Sequence, residues 1–303
     1  MHRFYVAAPL PVVGEVTFAG EAAHRIGRVL RLGPGERVGL FDGSGREVVA
    51  VLERVSARDA VARIASELPP PPDGPRLHLY PTLIRPARFE WLVEKAAELG
   101  ATLVQPVLTE RCQVRASEIG AAKLARWERL AIEAAEQCGR RTLPELRPPV
   151  PFTRALDGLA GIVLLPWEEA RGEAVPAGEA LRRAFAAHGA VRRVRGTPRP
   201  LPVAYEGETS PPAALAGECG DGGELSRGGL ALAPDAVAQP DALPPVTIII
   251  GPEGGLTAGE VDAARTHRAL VASLGPLVLR AETAAVAAMA LAVDAWAAAM
   301  RTV

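Results

Sequence analysis

The run Val246-Thr247-Ile248-Ile249-Ile250 passes without a break into Gly251-Pro252-Glu253-Gly254-Gly255-Leu256-Thr257. Consecutive β-branched residues read as a strand buried on both faces. A glycine-rich turn from such a strand into a helix is where open α/β sheets take ligands, beyond the carboxyl ends of their strands. Glycines there let a ligand approach the backbone closely. The turn has neither the GxGxxG dinucleotide fingerprint nor the Lys-Ser/Thr pair of a phosphate loop. It also fits an ordinary strand-to-helix turn, with Thr257 and Glu260 as a capping box.

A second stretch is Leu274-Gly275-Pro276-Leu277-Val278-Leu279-Arg280-Ala281-Glu282-Thr283-Ala284-Ala285. It sets an apolar loop beside Arg280 and Glu282, just before an apolar helix. Such a loop suits an adenine ring or a thioether. It suits equally a buried crossing under the last helix, with the two charges paired or capping. Glu94 and Thr109-Glu110-Arg111 form a third candidate group. The predicted helix 124–138 carries Arg129, Glu133 and Gln137 at i,i+4 spacing, a solvated face or a subunit contact. Metal and nucleophile chemistry have weaker support. The five histidines show no ligand spacing, Cys112, Cys138 and Cys219 form no CxxC pair, and GxSxG is absent.

The elements that must position these residues form two regions. The chain has 303 residues, of which 49% are apolar and 23% charged. That suffices for a sizeable core and excludes global disorder and a disulfide-stapled miniature. Residues 1–68 read as short strands with tight turns, the strongest at Asp42-Gly43-Ser44-Gly45, and predict a small barrel. A helix is expected over 21–32. Pro69-Pro70-Pro71-Pro72 marks a linker. Strands then alternate with helices: strand 76–81, helix 86–99, strand 103–107, helix 124–138, strand 161–165, strand 246–250, helix 257–268, strand 271–274 and helix 283–300. This predicts an α/β fold with helices on both faces of its sheet. Between 170 and 240 the pattern weakens to a helix at 181–188 and an expected loop over 206–241.

Net charge is −1, so no global attraction to nucleic acid follows. The distribution is uneven. Residues 181–199 hold six arginines and no acid, and 206–241 hold seven acids and one arginine. The start lacks the pattern of a secretory signal, and no run of eighteen apolar residues occurs, so a cytoplasmic protein without a membrane span is expected.

Several segments together resemble the RsmE family, small-subunit ribosomal RNA methyltransferases acting at uridine N3, within the SPOUT superfamily. They are MHRFYV at 1–6, HRIGRVLRLGPGERVGLFDGSG at 24–45, EKAAELG at 94–100, PVLTERC at 106–112, WERLAIEAAEQCGR at 127–140, IGPEGGLTAGE at 250–260 and SLGPLVLRAETA at 273–284. The resemblance implies a PUA-like β-barrel RNA-binding domain over 1–70. It implies a deep trefoil-knotted α/β methyltransferase domain over 76–303, with an atypical insertion at about 170–240. S-adenosylmethionine is the implied cofactor. Its implied contacts are Leu165, Trp167, Glu168, Gly251, Pro252, Glu253, Gly254, Gly255, Leu274, Gly275, Leu279, Arg280, Glu282, Thr283 and Ala284.

Arg280 would stabilise charge developing on the base, and Glu282, or Glu94 or Glu110 across a dimer, would accept the N3 proton. Arg3, Arg25, Arg28 and Arg31 would grip flanking RNA. The implied partners are ribosomal RNA or the assembled small subunit and a second copy of the chain, with no metal. The family commonly has Thr where Ala281 stands here. The basic half of the insertion would extend the RNA surface or form a solvated excursion. A non-catalytic RNA-binding protein, or a methyltransferase for another RNA position, is the alternative.

Overall fold

A computed structural model of the chain describes residues 1–56, 58–71, 74–170, 174–195 and 243–301. The N-terminal region forms a five-stranded sheet from β1 (His2–Tyr5), β2 (Glu15–Ala19), β3 (Arg37–Phe41), β4 (Glu47–Val55) and β5 (Asp59–Glu67), with the short helix α1 (Gly20–His24) after β2. The strand order is β1-β3-β4-β5-β2, parallel between β1 and β3 and antiparallel elsewhere. The hairpin predicted at Asp42–Gly45 joins β3 to β4, and the Asp42 carboxylate accepts from the Ser44 amide and hydroxyl. Among the described residues no ladder joins the edge strands β1 and β2, so the sheet is open there where a barrel was expected. The helix expected over 21–32 runs without a gap from α1 into a π-helical turn at Arg25–Val29 and ends before Arg31, which takes φ 55°. Gly27 lies against the end of β4 here, where a Cβ would come 3.0 Å from Val55 Cγ1.

The larger region contains β6 (Leu77–Pro81), α2 (Pro86–Glu98), β7 (Ala101–Val104), β8 (Val107–Leu108), α3 (Ala121–Cys138), β9 (Glu145–Leu146), β10 (Val150–Pro151), α4 (Phe152–Leu156), β11 (Ile162–Pro166), α5 (Ala177–Arg195), β12 (Val246–Ile250), α6 (Ala258–Thr266), β13 (Leu270–Ala272) and α7 (Ala281–Met300). Six of the strands form one parallel sheet in the order β13-β11-β12-β6-β7-β9. β12 lies inside it, and its five residues are all buried. Val246, Ile248 and Ile250 pack into a core shared with α2, α3, α5 and α7. Ile249 faces the opposite core with residues of α4 and α6. Burying each such side chain contributes about 1.5–3 kcal/mol. Helices therefore cover both faces, as the alternation predicted.

Local signals start and stop the helices. Pro86 opens α2, and Gly139 at φ 88° closes α3 in the left-handed conformation. The Thr257 hydroxyl accepts the Glu260 amide while Glu260 Oε2 accepts the Thr257 amide, completing the capping box ahead of α6. α5 is longer than the expected 181–188. Apolar periodicity fades after Phe185, but arginine is a good helix former and extends the element. The expected loop 206–241 lies outside the described residues, as does most of the segment 170–240 where an insertion was expected. α7 is long and apolar enough by length and composition to cross a membrane. Its stripe of Ala281, Ala285, Ala288, Met289, Ala292 and Ala295 is buried in the core of the large sheet.

A polar seam ties β1 and β4 to α3. Glu47, 4% exposed, receives Arg3 Nε at 2.8 Å and Arg141 Nε at 2.7 Å. Arg3 also donates to the carbonyls of Ala135, Glu136 and Arg140. Glu136 accepts from the Tyr5 amide and from Arg25. Arg140 reaches the Ala97 carbonyl and the Thr142 hydroxyl, and burial pushes its guanidinium down to about 10.

Candidate active site

β11, β12 and β13 are neighbours in a parallel sheet, so their carboxyl-end loops emerge at one edge. Trp167 and Glu168 follow β11, Gly251–Gly255 follow β12, and Ser273–Gly275 follow β13. The contact between the first two loops is tight. Gly255 takes φ 70°, and a Cβ there would lie 2.0 Å from Glu168 Oε1. A side chain at 255 would need a strained backbone and a displaced Glu168. The segment after β8 laces onto the same turn. Arg111 Nη1 donates to the Gly254 carbonyl at 2.8 Å, and the Glu110 amide donates to Glu260 Oε1 at 2.8 Å. Thr82, at the end of β6, donates its hydroxyl to the Ile250 carbonyl at 3.0 Å.

α7 begins at Ala281, so Glu282 sits in its first turn rather than ahead of the helix as expected. Its side chain is 12% exposed, with Oε1 3.6 Å from Arg88 Nε. Arg88 Nη1 lies 3.4 Å from Glu253 Oε1 in the β12 loop. One guanidinium from α2 thus meets a carboxylate from the β12 loop and one from the first turn of α7. Arg280, two residues from Glu282, is exposed and has no side-chain partner among the described residues.

Buried polar atoms are nearly always hydrogen-bonded, so exceptions carry information. Among the described residues the unpartnered ones are His78 Nδ1, Thr109 Oγ1, Trp127 Nε1, Trp167 Nε1 and Glu282 Oε2. Thr109, Trp167 and Glu282 all belong to the segments around this edge. Trp167 also lies under Arg265, whose guanidinium carbon is 5.8 Å from the ring centroid. A cleft of about 780 Å³ adjoins Trp167 and runs along β13 past Arg183 and Arg265.

The other anticipated residues are spread more widely. Leu165 is buried within β11, Pro252 is buried, Leu274, Leu279 and Ala284 are half-buried, and Thr283 is exposed. Ala281 is 6% exposed. Glu94 lines a separate cleft of about 520 Å³ between α2 and α3, with Glu98, Glu133 and Gln137, and its carboxylate holds Lys95 at 2.8 Å. The Glu110 carboxylate makes no contact among the described residues. Of the four arginines expected on RNA, Arg28 and Arg31 are exposed and unpaired among the described residues. Arg3 spends its five N–H groups in the seam, and Arg25 is held by Glu136. Cys112 shares its thiol between the Leu83 and Val114 carbonyls, and burial pushes it up from its ordinary value. Among the described residues no group of three His, Cys, Asp or Glu side chains could hold a metal ion.

Arg88 was not legible in the sequence, since nothing in the local pattern around it reports a partner 194 positions away. Thr109 belongs to a segment already singled out there, and the structure adds that its hydroxyl is buried without a partner.

Residues 72–191 and 231–293 match the family model of an RNA methyltransferase domain, and residues 18–65 match that of an RNA methyltransferase PUA domain. The chain is 34% identical to the ribosomal RNA small subunit methyltransferase E of Synechocystis over 53% of its own length and 52% of that protein. It is 25% identical to the protein of the same name from Bacillus subtilis, over 94% and 93% of the two chains. The crystal structure of a ribosomal RNA small subunit methyltransferase E from Neisseria gonorrhoeae, bound to S-adenosyl methionine, superposes with a TM-score of 0.68. That match has 26% identity and covers 98% of each chain.

Proposed function

The chain belongs to the RNA methyltransferase family, and from that membership we propose that it methylates N3 of a uridine in 16S ribosomal RNA with S-adenosylmethionine as methyl donor. The observation that carries this reading is the meeting of the β11, β12 and β13 loops, which come from distant parts of the chain, at one sheet edge. The residues there fit the cofactor. Gly255 keeps a Cβ out of the cradle formed with Glu168, and Trp167 Nε1, Thr109 Oγ1 and Glu282 Oε2 still await polar partners. Leu165, Trp167, Glu168, Gly251–Gly255, Leu274, Gly275, Leu279, Arg280 and Glu282–Ala284 would hold it. The likeness to a structure bound to S-adenosyl methionine supports the assignment.

When bound, the cofactor supplies an electrophilic methyl group on a positively charged sulfur. Uracil N3 is protonated at neutral pH, so the protein must remove that proton as the nitrogen attacks. Glu282 is the acceptor of choice. Its Oε2 is shielded from water and accepts no bond from the chain, whereas Glu94 is held by Lys95 in another cleft. Arg280, exposed at the N-cap of α7, supplies positive charge to the oxygen beside N3 as the proton leaves. The target uridine must be unpaired or drawn from its stack to expose N3.

In the same reading residues 1–70 form the PUA-like RNA-binding domain, with Arg28 and Arg31 contacting phosphates, and residues 76–303 form a SPOUT methyltransferase domain with a trefoil knot. The enzyme acts as a homodimer. Leu277 and Val278, 74% and 68% exposed beside the site, offer apolar surface for a second copy.

The test uses 16S ribosomal RNA from cells lacking the gene, purified protein and labelled S-adenosylmethionine, followed by nucleoside mass spectrometry. Label in 3-methyluridine is expected. Label in another nucleoside, or none on free RNA and on small subunits alike, overturns the assignment.

A further inference from the structure

We propose that Arg88 is a positioning residue for methyl transfer, acting through Glu282. The inference rests on the reading of Glu282 as proton acceptor. Arg88 lies in the first turn of α2, far in sequence from both of its partners. Its Nε is 3.6 Å from Glu282 Oε1, and its Nη1 is 3.4 Å from Glu253 Oε1. A carboxylate shielded from water needs a compensating charge. The neighbouring Arg280 makes no contact with it, so Arg88 is its cationic partner among the described residues.

The two Glu282 oxygens are therefore unequal. Oε1 faces the guanidinium, and Oε2 has no donor. A proton acceptor needs this division, with one oxygen held so that the carboxylate keeps one orientation and the other left without a donor from the chain. Arg88 also draws Glu253 to the same centre, so the β12 loop and the first turn of α7 are held at a fixed separation. Positioning of this kind bears on rate because a misplacement of about 1 Å can cost about 100-fold.

A double-mutant cycle tests the role. Initial rates are measured at saturating S-adenosylmethionine, on RNA from cells lacking the gene, for Arg88→Gln, Glu282→Gln and the double variant. Cofactor affinity is taken from calorimetry and folding from thermal melts. Arg88→Gln is expected to lower kcat about tenfold, within the range of couplings between residues in contact. In the Glu282→Gln background the same change should cost less than about twofold. Arg88→Lys keeps the charge and should recover most of the lost rate, and it also serves if Arg88→Gln fails to fold.

A wild-type rate for Arg88→Gln overturns the inference. So does an undiminished loss in the Glu282→Gln background, or a loss matched by weaker cofactor binding or lower melting temperature. A wild-type rate for Glu282→Gln alone overturns the acceptor assignment instead. Impaired Glu282→Gln with unimpaired Arg88→Gln removes only the positioning role.

Discussion

Two groups of buried charge in this molecule are built on opposite terms. In the seam between the small sheet and α3, Glu47 is closed off by Arg3 and Arg141, and Arg3 has no donor to spare. At the carboxyl edge of the large sheet, Glu282 keeps an oxygen without a donor, and Thr109 and Trp167 keep polar atoms without partners. A buried polar group left unpaired costs about 1–3 kcal/mol. A fold that completes one network and leaves another open is storing binding capacity in the second. Arginine alone does not separate the two. Arg3 and Arg88 both sit between carboxylates and other elements, and only the completeness of their surroundings distinguishes them.

The comparison makes opposite demands on variants. Glu282→Gln keeps the side chain's shape and removes its basicity. It should lower kcat about 100-fold or more while leaving the melting temperature nearly unchanged. A stability loss with retained rate would place Glu282 with the seam. Glu47→Ala should do the reverse, costing about 3 kcal/mol in chemical denaturation because two arginines are left facing an uncompensated cavity. Activity of the folded fraction measured at low temperature should survive better than stability. Thr257→Ala removes the hydroxyl that caps α6 behind the β12 loop. It should cost about 1 kcal/mol, with a rise in cofactor dissociation constant that calorimetry reads if the loop loosens.

The smallest effect is one of pH. Burial pushes His78 down from its usual 6.5, and the nearby Arg76 and Arg147 act in the same direction. The folded state therefore favours the neutral ring. This contribution to stability is present above pH 6.5 and is lost as pH falls from there through the lowered value. Melting curves between pH 7.5 and 5.5 should show the wild type losing more stability on acidification than His78→Gln. Equal slopes would remove His78 from the account.

What the sequence disclosed follows the range of the forces involved. The capping box at Thr257 and Glu260, the glycine stop at Gly139 and the hairpin at Asp42–Gly45 depend on residues within a few positions, and all were legible. The two-sided burial of β12 was legible because every residue of 246–250 is apolar or β-branched. The change from α to π winding at Arg25 was not, since nothing in the local pattern marks it. The length of α5 was missed because its arginines show no apolar face. In the candidate site, the β12 turn and Glu282 were visible as motifs. The Arg88 bridge was invisible because it is a tertiary contact, and Arg280, adjacent in sequence, looked like the natural partner. Arg3 read as a free surface cation for the same reason, since its partner Glu47 is brought in only by the register of β1 on β3 and β4.

The placement of β12 has a consequence for how the protein is made. β6, which opens the large region, finds its inner neighbour only when residues 246–250 arrive, after α2, α3, α5 and all the chain between have been synthesised. Until then one edge of β6 has no partner, and the nascent chain carries its most apolar sheet half-built. Contacts this distant make for slow folding. The length of chain between the two strands lengthens the interval over which an open strand edge must be kept from other chains.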